Sequence, residues 1–144
     1  MLLKMSPQGR QKLIEREGSR LKAYQDTRGI WTIGVGHSAE AGTPPFTHRG
    51  LVITEEQVDE ILTRDLVPRE EYLNKLLKKT PTQNQFDAML SLMFNIGGGA
   101  FKGSAVLHYF NEGRTLSAAE AFLHFDHPAS LTRRREDEKK QFLS

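Results

Sequence analysis

The sequence predicts an α+β fold, mostly helical, with one small antiparallel sheet near the N-terminus. Three stretches carry that prediction. Ile30-Trp31-Thr32-Ile33-Gly34-Val35-Gly36 is rich in β-branched and aromatic residues and follows the turn-forming Asp26-Thr27-Arg28-Gly29. Residues 83–96 are apolar nearly all round, the signature of a buried central helix. Thr54-Glu55-Glu56-Gln57 is a capping box that opens a helix of roughly 22 residues, about 33 Å long, enough to bridge two lobes. The expected organisation is one domain over 1–144, with lobes at about 1–54 and 79–144 joined by 55–78.

Taken in order, Ser6-Pro7 reads as an N-cap and a first-turn proline, opening a helix to about Glu17 with Gly18 as its stop residue. The strand at 30–36 pairs with the segment around Leu21, Ala23 and Tyr24 in a hairpin or small sheet. Gly34 and Gly36 weaken a strand and suggest close approach of backbone or ligand. A surface loop covers 38–52. Val58, Ile61, Leu62 and Leu66 stripe the bridging helix, which Pro68 is expected to kink or split. Gly97-Gly98-Gly99 should end the central helix, and shorter helices follow at 104–110, 116–125 and 131–142.

The composition excludes several classes. The 144 residues include no cysteine, so disulfides, thiolate nucleophiles and cysteine-bound zinc are ruled out. No apolar run approaches the roughly 18 residues that span a membrane, and the first residues lack a secretory core, so stable membrane insertion is not expected. The net charge of +2 and pI near 9.0 are a mild basic bias. Its densest run, Arg133-Arg134-Arg135, reads as a solvated helix face; attraction to an anionic polymer such as cell-wall glycan comes next, and nucleic-acid binding well behind, without a recognised motif. His124, Asp126 and His127 match no metal-ligand spacing, and no metal or cofactor is expected.

Glu17, Asp26 and Thr32 fall close together in the chain. A carboxylate at a helix C-terminus faces the negative end of the helix dipole, a setting that suits a general acid. A second carboxylate in a turn has different surroundings, and such differences separate the acid and base roles of a carboxylate pair. Thr32 on the next strand could hold a water beside Asp26. By chemistry alone the signal is weak, since the chain has 18 acidic residues.

The pattern around them is more specific. Glu17-Gly18, Leu21, Ala23-Tyr24, Asp26, Gly29 and Thr32-Ile33-Gly34-Val35-Gly36-His37 resemble the signature of the phage-type lysozymes, muramidases of glycoside hydrolase family 24. The likeness continues through Ile53-Thr54, Gln57, Asp65-Leu66, Thr82-Gln83, Gln85-Phe86-Asp87-Ala88, Phe94-Asn95-Ile96-Gly97 and Leu131 with Arg133-Arg134-Arg135. It covers nearly the whole chain from about Pro7, and the family's Glu-(x)8-Asp-(x)5-Thr spacing is met without a gap.

The resemblance implies an endolysin of class EC 3.2.1.17 that cuts the β-1,4 bond between N-acetylmuramic acid and N-acetylglucosamine in peptidoglycan, with inversion, to lyse a bacterial host. Glu17 would be the general acid, and Asp26 with Thr32 would position and activate water. The family's cleft makes Phe94, Gly97 and Ser104 candidates for its substrate-binding far wall. The expected life history is synthesis in the host cytoplasm, release through a holin pore and action on the periplasmic wall as a monomer. His37 is expected to be structural, paired with Asp65. Residues 125–130 lack the tryptophan and glycines many relatives carry there.

Overall fold

The first helix is anchored by a shared carboxylate. Ser6 Oγ accepts the Gly9 N–H at 2.9 Å, so Ser6 is an N-cap. The same hydroxyl donates to Asp87 Oδ2, and Asp87 Oδ1 also takes the Ser6 N–H at 3.1 Å and Gln83 Nε2 at 2.8 Å. Asp87 is fully buried, and these donors are what make its burial tolerable. The coordinates are a computed structural model that describes residues 2–144.

The elements run α1 (Pro7–Glu17), β1 (Arg20–Gln25), β2 (Trp31–Gly34), β3 (His37–Ser38), α2 (Glu55–Leu76), α3 (Gln83–Ile96), α4 (Gly98–Lys102), α5 (Ala105–Asn111), α6 (Thr115–Ala121) and α7 (Thr132–Leu143). The chain divides into two compact units: Gln11–Val67, and Pro68–Ser144 together with the N-terminal residues to Arg10. The boundaries fall inside α1 and α2.

The unit at Gln11–Val67 contains the antiparallel sheet, in the order β1-β2-β3. Tyr24 pairs with Thr32, and Thr32 with Ser38, so Thr32 lies on the middle strand. The strand expected over 30–36 stops at Gly34. Val35 and Gly36 form a tight turn into β3, with φ of 63° at Gly34 and 68° at Gly36. These glycines answer a need for left-handed backbone; a side chain added at Gly34 would meet only ordinary contacts, the nearest at 3.8 Å. Leu13, Ala23, Ile33, Val35, Ile53, Val58, Ile61, Leu62 and Leu66 are this unit's buried apolar residues.

In the other unit, α3 packs along α7, and Phe86, Ala88, Met89, Leu90 and Leu92 are fully buried, as an all-round apolar helix requires. Thr82 and Gln85 cap it reciprocally. Phe142 on α7 meets Phe110 edge-on at 6.3 Å and Phe122 at 5.3 Å.

Four expectations need correction. Of the two outcomes expected at Pro68, the split does not occur, for α2 runs unbroken from Glu55 to Leu76; losing one N–H donor does not end the helix. The Gly97–Gly99 stretch is not a full stop. Only Gly97 leaves helical geometry, at φ 93° and ψ 157°, and α4 starts at Gly98. The helix expected over 116–125 is α-helical to Ala121 and tightens to a 3-10 turn over Phe122–Phe125. Arg133-Arg134-Arg135 is not a solvated face, for Arg135 is fully buried. Its guanidinium pairs with Glu138, also fully buried, and donates to Asn95 Oδ1 and to the Phe125 carbonyl at 2.7 Å. Ser91 Oγ at 2.6 Å and Arg134 Nε at 3.1 Å complete the shell of Glu138.

Candidate active site

Glu17 is the last residue of α1 and is half-buried. The chain leaves the helix at Gly18 and enters β1 two residues later, so the carboxylate lies where helix gives way to sheet.

Asp26 opens the turn between β1 and β2. Its N–H donates to the Ile30 carbonyl at 2.9 Å, and its own carbonyl accepts the Gly29 N–H at 2.9 Å. Asp26 Oδ1 accepts the Arg28 N–H at 2.8 Å and the Ile30 N–H at 2.9 Å, an Asx arrangement that fixes the carboxylate plane. The Arg28 guanidinium stands 3.8 Å from Oδ2. The Ile30 N–H is the chief reason that this carboxyl is held below the usual aspartate range; partial burial opposes it, and the Arg28 N–H and guanidinium add to it. Asp26 therefore stays ionised to lower pH than an unperturbed aspartate.

Thr32 is only 5% exposed, and its Oγ1 donates to the Ile30 carbonyl at 3.0 Å. With its proton committed there, the hydroxyl presents lone pairs to anything that approaches. The Ile30 peptide thus ties both residues, its N–H on Asp26 Oδ1 and its carbonyl taking Thr32 Oγ1 and the Asp26 N–H. What remains is Asp26 Oδ2 and the Thr32 lone pairs, acceptors both.

His37 is buried at the start of β3. Its Nδ1 meets Asp65 Oδ2 at 2.8 Å, and its Nε2 faces the carbonyls of Thr43 at 3.2 Å and Pro45 at 3.0 Å. Both ring nitrogens are engaged in holding the sheet, the following loop and α2 together, as expected of a structural residue.

In the helical unit, Phe94 is half-buried in the last turn of α3 with the Arg69 guanidinium 4.8 Å from its ring centroid, and the exposed Gly97 follows it. Ser104 is buried and caps α5, its Oγ accepting the Leu107 N–H at 3.2 Å. It lines a recess of about 700 Å3 with Lys78, Lys102 and His108, a lining that includes neither Phe94 nor Gly97. The short helix α4 joins Gly97 to Ser104, with the Phe101 N–H on the Gly97 carbonyl at 3.1 Å and the Ser104 N–H on the Phe101 carbonyl at 3.0 Å.

Two participants escaped the sequence reading. The Ile30 main chain carries no side-chain signal at all. Tyr24 was read only as part of a motif, yet it stands opposite Thr32 in the ladder, its ring 4.8 Å from the Arg20 guanidinium. Burial is the main reason its phenol titrates above the usual range; Arg20 acts the other way, and the charges of Glu17 and Asp26 add to the rise. A cross-strand partner in the sheet register was the available clue.

A mostly helical chain with one small three-stranded antiparallel sheet is the fold of solved lysozyme-like endolysins. An endolysin from Escherichia coli O157:H7 phage FAHEc1 superposes with a TM-score of 0.92 at 32% identity, covering 99% of this chain and 94% of that one. The muramidase domain of SpmX from Asticaccaulis excentricus matches with a TM-score of 0.85 at 39% identity over 98% of each chain. The endolysin of Salmonella phage P22 is 42% identical over 147 aligned residues, 99% of this chain and 100% of that protein. The phage lysozyme family model matches residues 14–138, and the chain belongs to that family.

Proposed function

We propose that this chain is a peptidoglycan-lytic endolysin that hydrolyses the β-1,4 bond between N-acetylmuramic acid and N-acetylglucosamine with inversion. Glu17 donates its proton to the departing glycosidic oxygen. Asp26 and Thr32 hold the water that attacks the anomeric carbon from the opposite face. Phe94, Gly97 and Ser104 are the proposed substrate-binding residues, the Ser104 hydroxyl being engaged as the cap of α5. The protein acts as a monomer, begins in the host cytoplasm and reaches the periplasmic wall through a holin pore.

The observation that carries this reading is the shared Ile30 peptide. Because Oδ1 of Asp26 and the proton of Thr32 are both committed to it, one water can donate its two protons to Asp26 Oδ2 and Thr32 Oγ1. Its lone pair then points away from both, toward an electrophile. As the bond forms, Asp26 takes the proton that the water must lose, and its depressed pKa keeps it ionised and ready.

The family match and the endolysin and muramidase relatives support the substrate class. Digestion of purified peptidoglycan is the test, with products read by mass spectrometry and by proton NMR in the first minutes. Reducing ends that appear as the α-anomer are expected. Products ending in 1,6-anhydro sugars would mean a lytic transglycosylase instead, and β-anomers would mean retention. Glu17→Gln should lose at least about 10²-fold in rate if that residue is the acid.

A further inference from the structure

We infer that Tyr24 contacts the substrate directly, its phenolic hydroxyl donating a hydrogen bond to a sugar oxygen beside the scissile bond. This deepens the proposed hydrolysis and rests on it.

Position comes first. Tyr24 and Thr32 are direct partners across β1 and β2, and residues opposite each other in an antiparallel ladder project to the same face. Tyr24 therefore shares the face of Thr32, one residue before Gln25 and two before Asp26. The Arg20 guanidinium, 4.8 Å from the ring centroid, restrains the ring from one side.

The hydroxyl is the part that the fold does not explain. It makes no hydrogen bond among the described residues, although Tyr24 is half-buried. A phenylalanine would fill the same space and stack as well on Arg20. A hydroxyl that is open to solvent and makes no hydrogen bond within the fold is available to a bound ligand.

The electrostatics decide which way the bond runs. Burial and the neighbouring Glu17 and Asp26 charges keep the phenol protonated, against the weaker pull of Arg20. It therefore offers a proton, and the ring oxygens, hydroxyls and acetamido carbonyls of the glycan all accept one. Asp26 Oδ2 and Thr32 Oγ1 already hold the attacking water, so the sugar is the fitting acceptor.

The test compares Tyr24→Phe with wild type, and E17Q/Y24F with E17Q, using a soluble tetrasaccharide of alternating N-acetylglucosamine and N-acetylmuramic acid. The expected result is an unchanged melting temperature and a roughly tenfold loss in kcat/KM carried by KM, the size of one neutral hydrogen bond. Tetrasaccharide affinity should fall by a similar factor in the E17Q background, and the pH limbs should stay where they are. Turnover and affinity within twofold of the parents would overturn the inference. So would a lowered melting temperature with full activity, or a loss accompanied by displaced pH limbs, since the hydroxyl would then act on the fold or on the carboxylates. A wild type that releases no reducing ends would instead defeat the proposed hydrolysis.

Discussion

His37 Nδ1 lies 2.8 Å from Asp65 Oδ2, joining the shortest strand of the sheet to the middle of α2. The imidazole is buried and its other nitrogen meets two carbonyls of the following loop, so removing either partner strands polar groups away from water. His37→Ala should cost roughly 3 kcal/mol and Asp65→Asn somewhat less, as the asparagine can still accept. Turnover per folded molecule should be preserved, because neither residue is needed for the chemistry. Thermal melts with active-site-normalised rates check this. A well-folded His37→Ala protein without activity would show that the histidine is more than a strut.

Gly9 has a tertiary reason to be glycine. A Cβ there would overlap Cβ, Cγ and Oδ2 of Asp87, the carboxylate that anchors the start of α1. Although alanine is the better helix former by about 1 kcal/mol, Gly9→Ala should destabilise by about 2 kcal/mol or more. Denaturant unfolding decides the sign, and a gain in stability would refute the packing argument.

The buried Arg135–Glu138 pair predicts non-additive behaviour. Glu138→Ala leaves a guanidinium buried without its counter-charge and should cost roughly 3–5 kcal/mol; Arg135→Met leaves Glu138 with Arg134 and the Ser91 hydroxyl and should cost less. The double replacement Arg135→Met/Glu138→Leu should cost less than the sum of the two, since neither member of this pair is then left buried without the other. A double-mutant cycle on unfolding free energies measures the coupling, and simple additivity would count against the pair as a unit.

For Asp26 the sign of the pH effect follows from its surroundings. Its carboxyl is held below the usual range, chiefly by the Ile30 N–H, so the ionised form persists as the pH falls. Activity that needs this carboxylate should fail on the acid side only below the ordinary aspartate pKa of about 3.9. Stability linked to the same group is present above that value and lost as the pH drops through the depressed one. Arg28→Gln removes the weakest of the lowering influences, from an exposed side chain, and should move the acid limb slightly toward higher pH. A limb that moves to lower pH in that variant would contradict the assignment.

Much of this protein was legible in its sequence because the signals were local. The Ser6 cap, the Thr54 and Thr82 capping boxes, the Asp26 turn and the alternation around Trp31 are set by neighbours within a few residues, and the elements they predict are present. The spacing of Glu17, Asp26 and Thr32 belongs to the same kind, since one helix end and one hairpin hold all three.

Tertiary structure alone decided what long-range partners determine. Three consecutive arginines look alike in sequence, yet only Arg135 is fully buried, because Glu138 one helical turn on and Asn95 on another helix wait for it. Asp87 resembles any surface acid until Ser6, 81 positions away, is brought to it. The roles left to Asp26 Oδ2 and to the Thr32 lone pairs depend on what the Ile30 peptide has already taken. Burying a charge is tolerable only when its partners are in place, and no local pattern states where those partners will be.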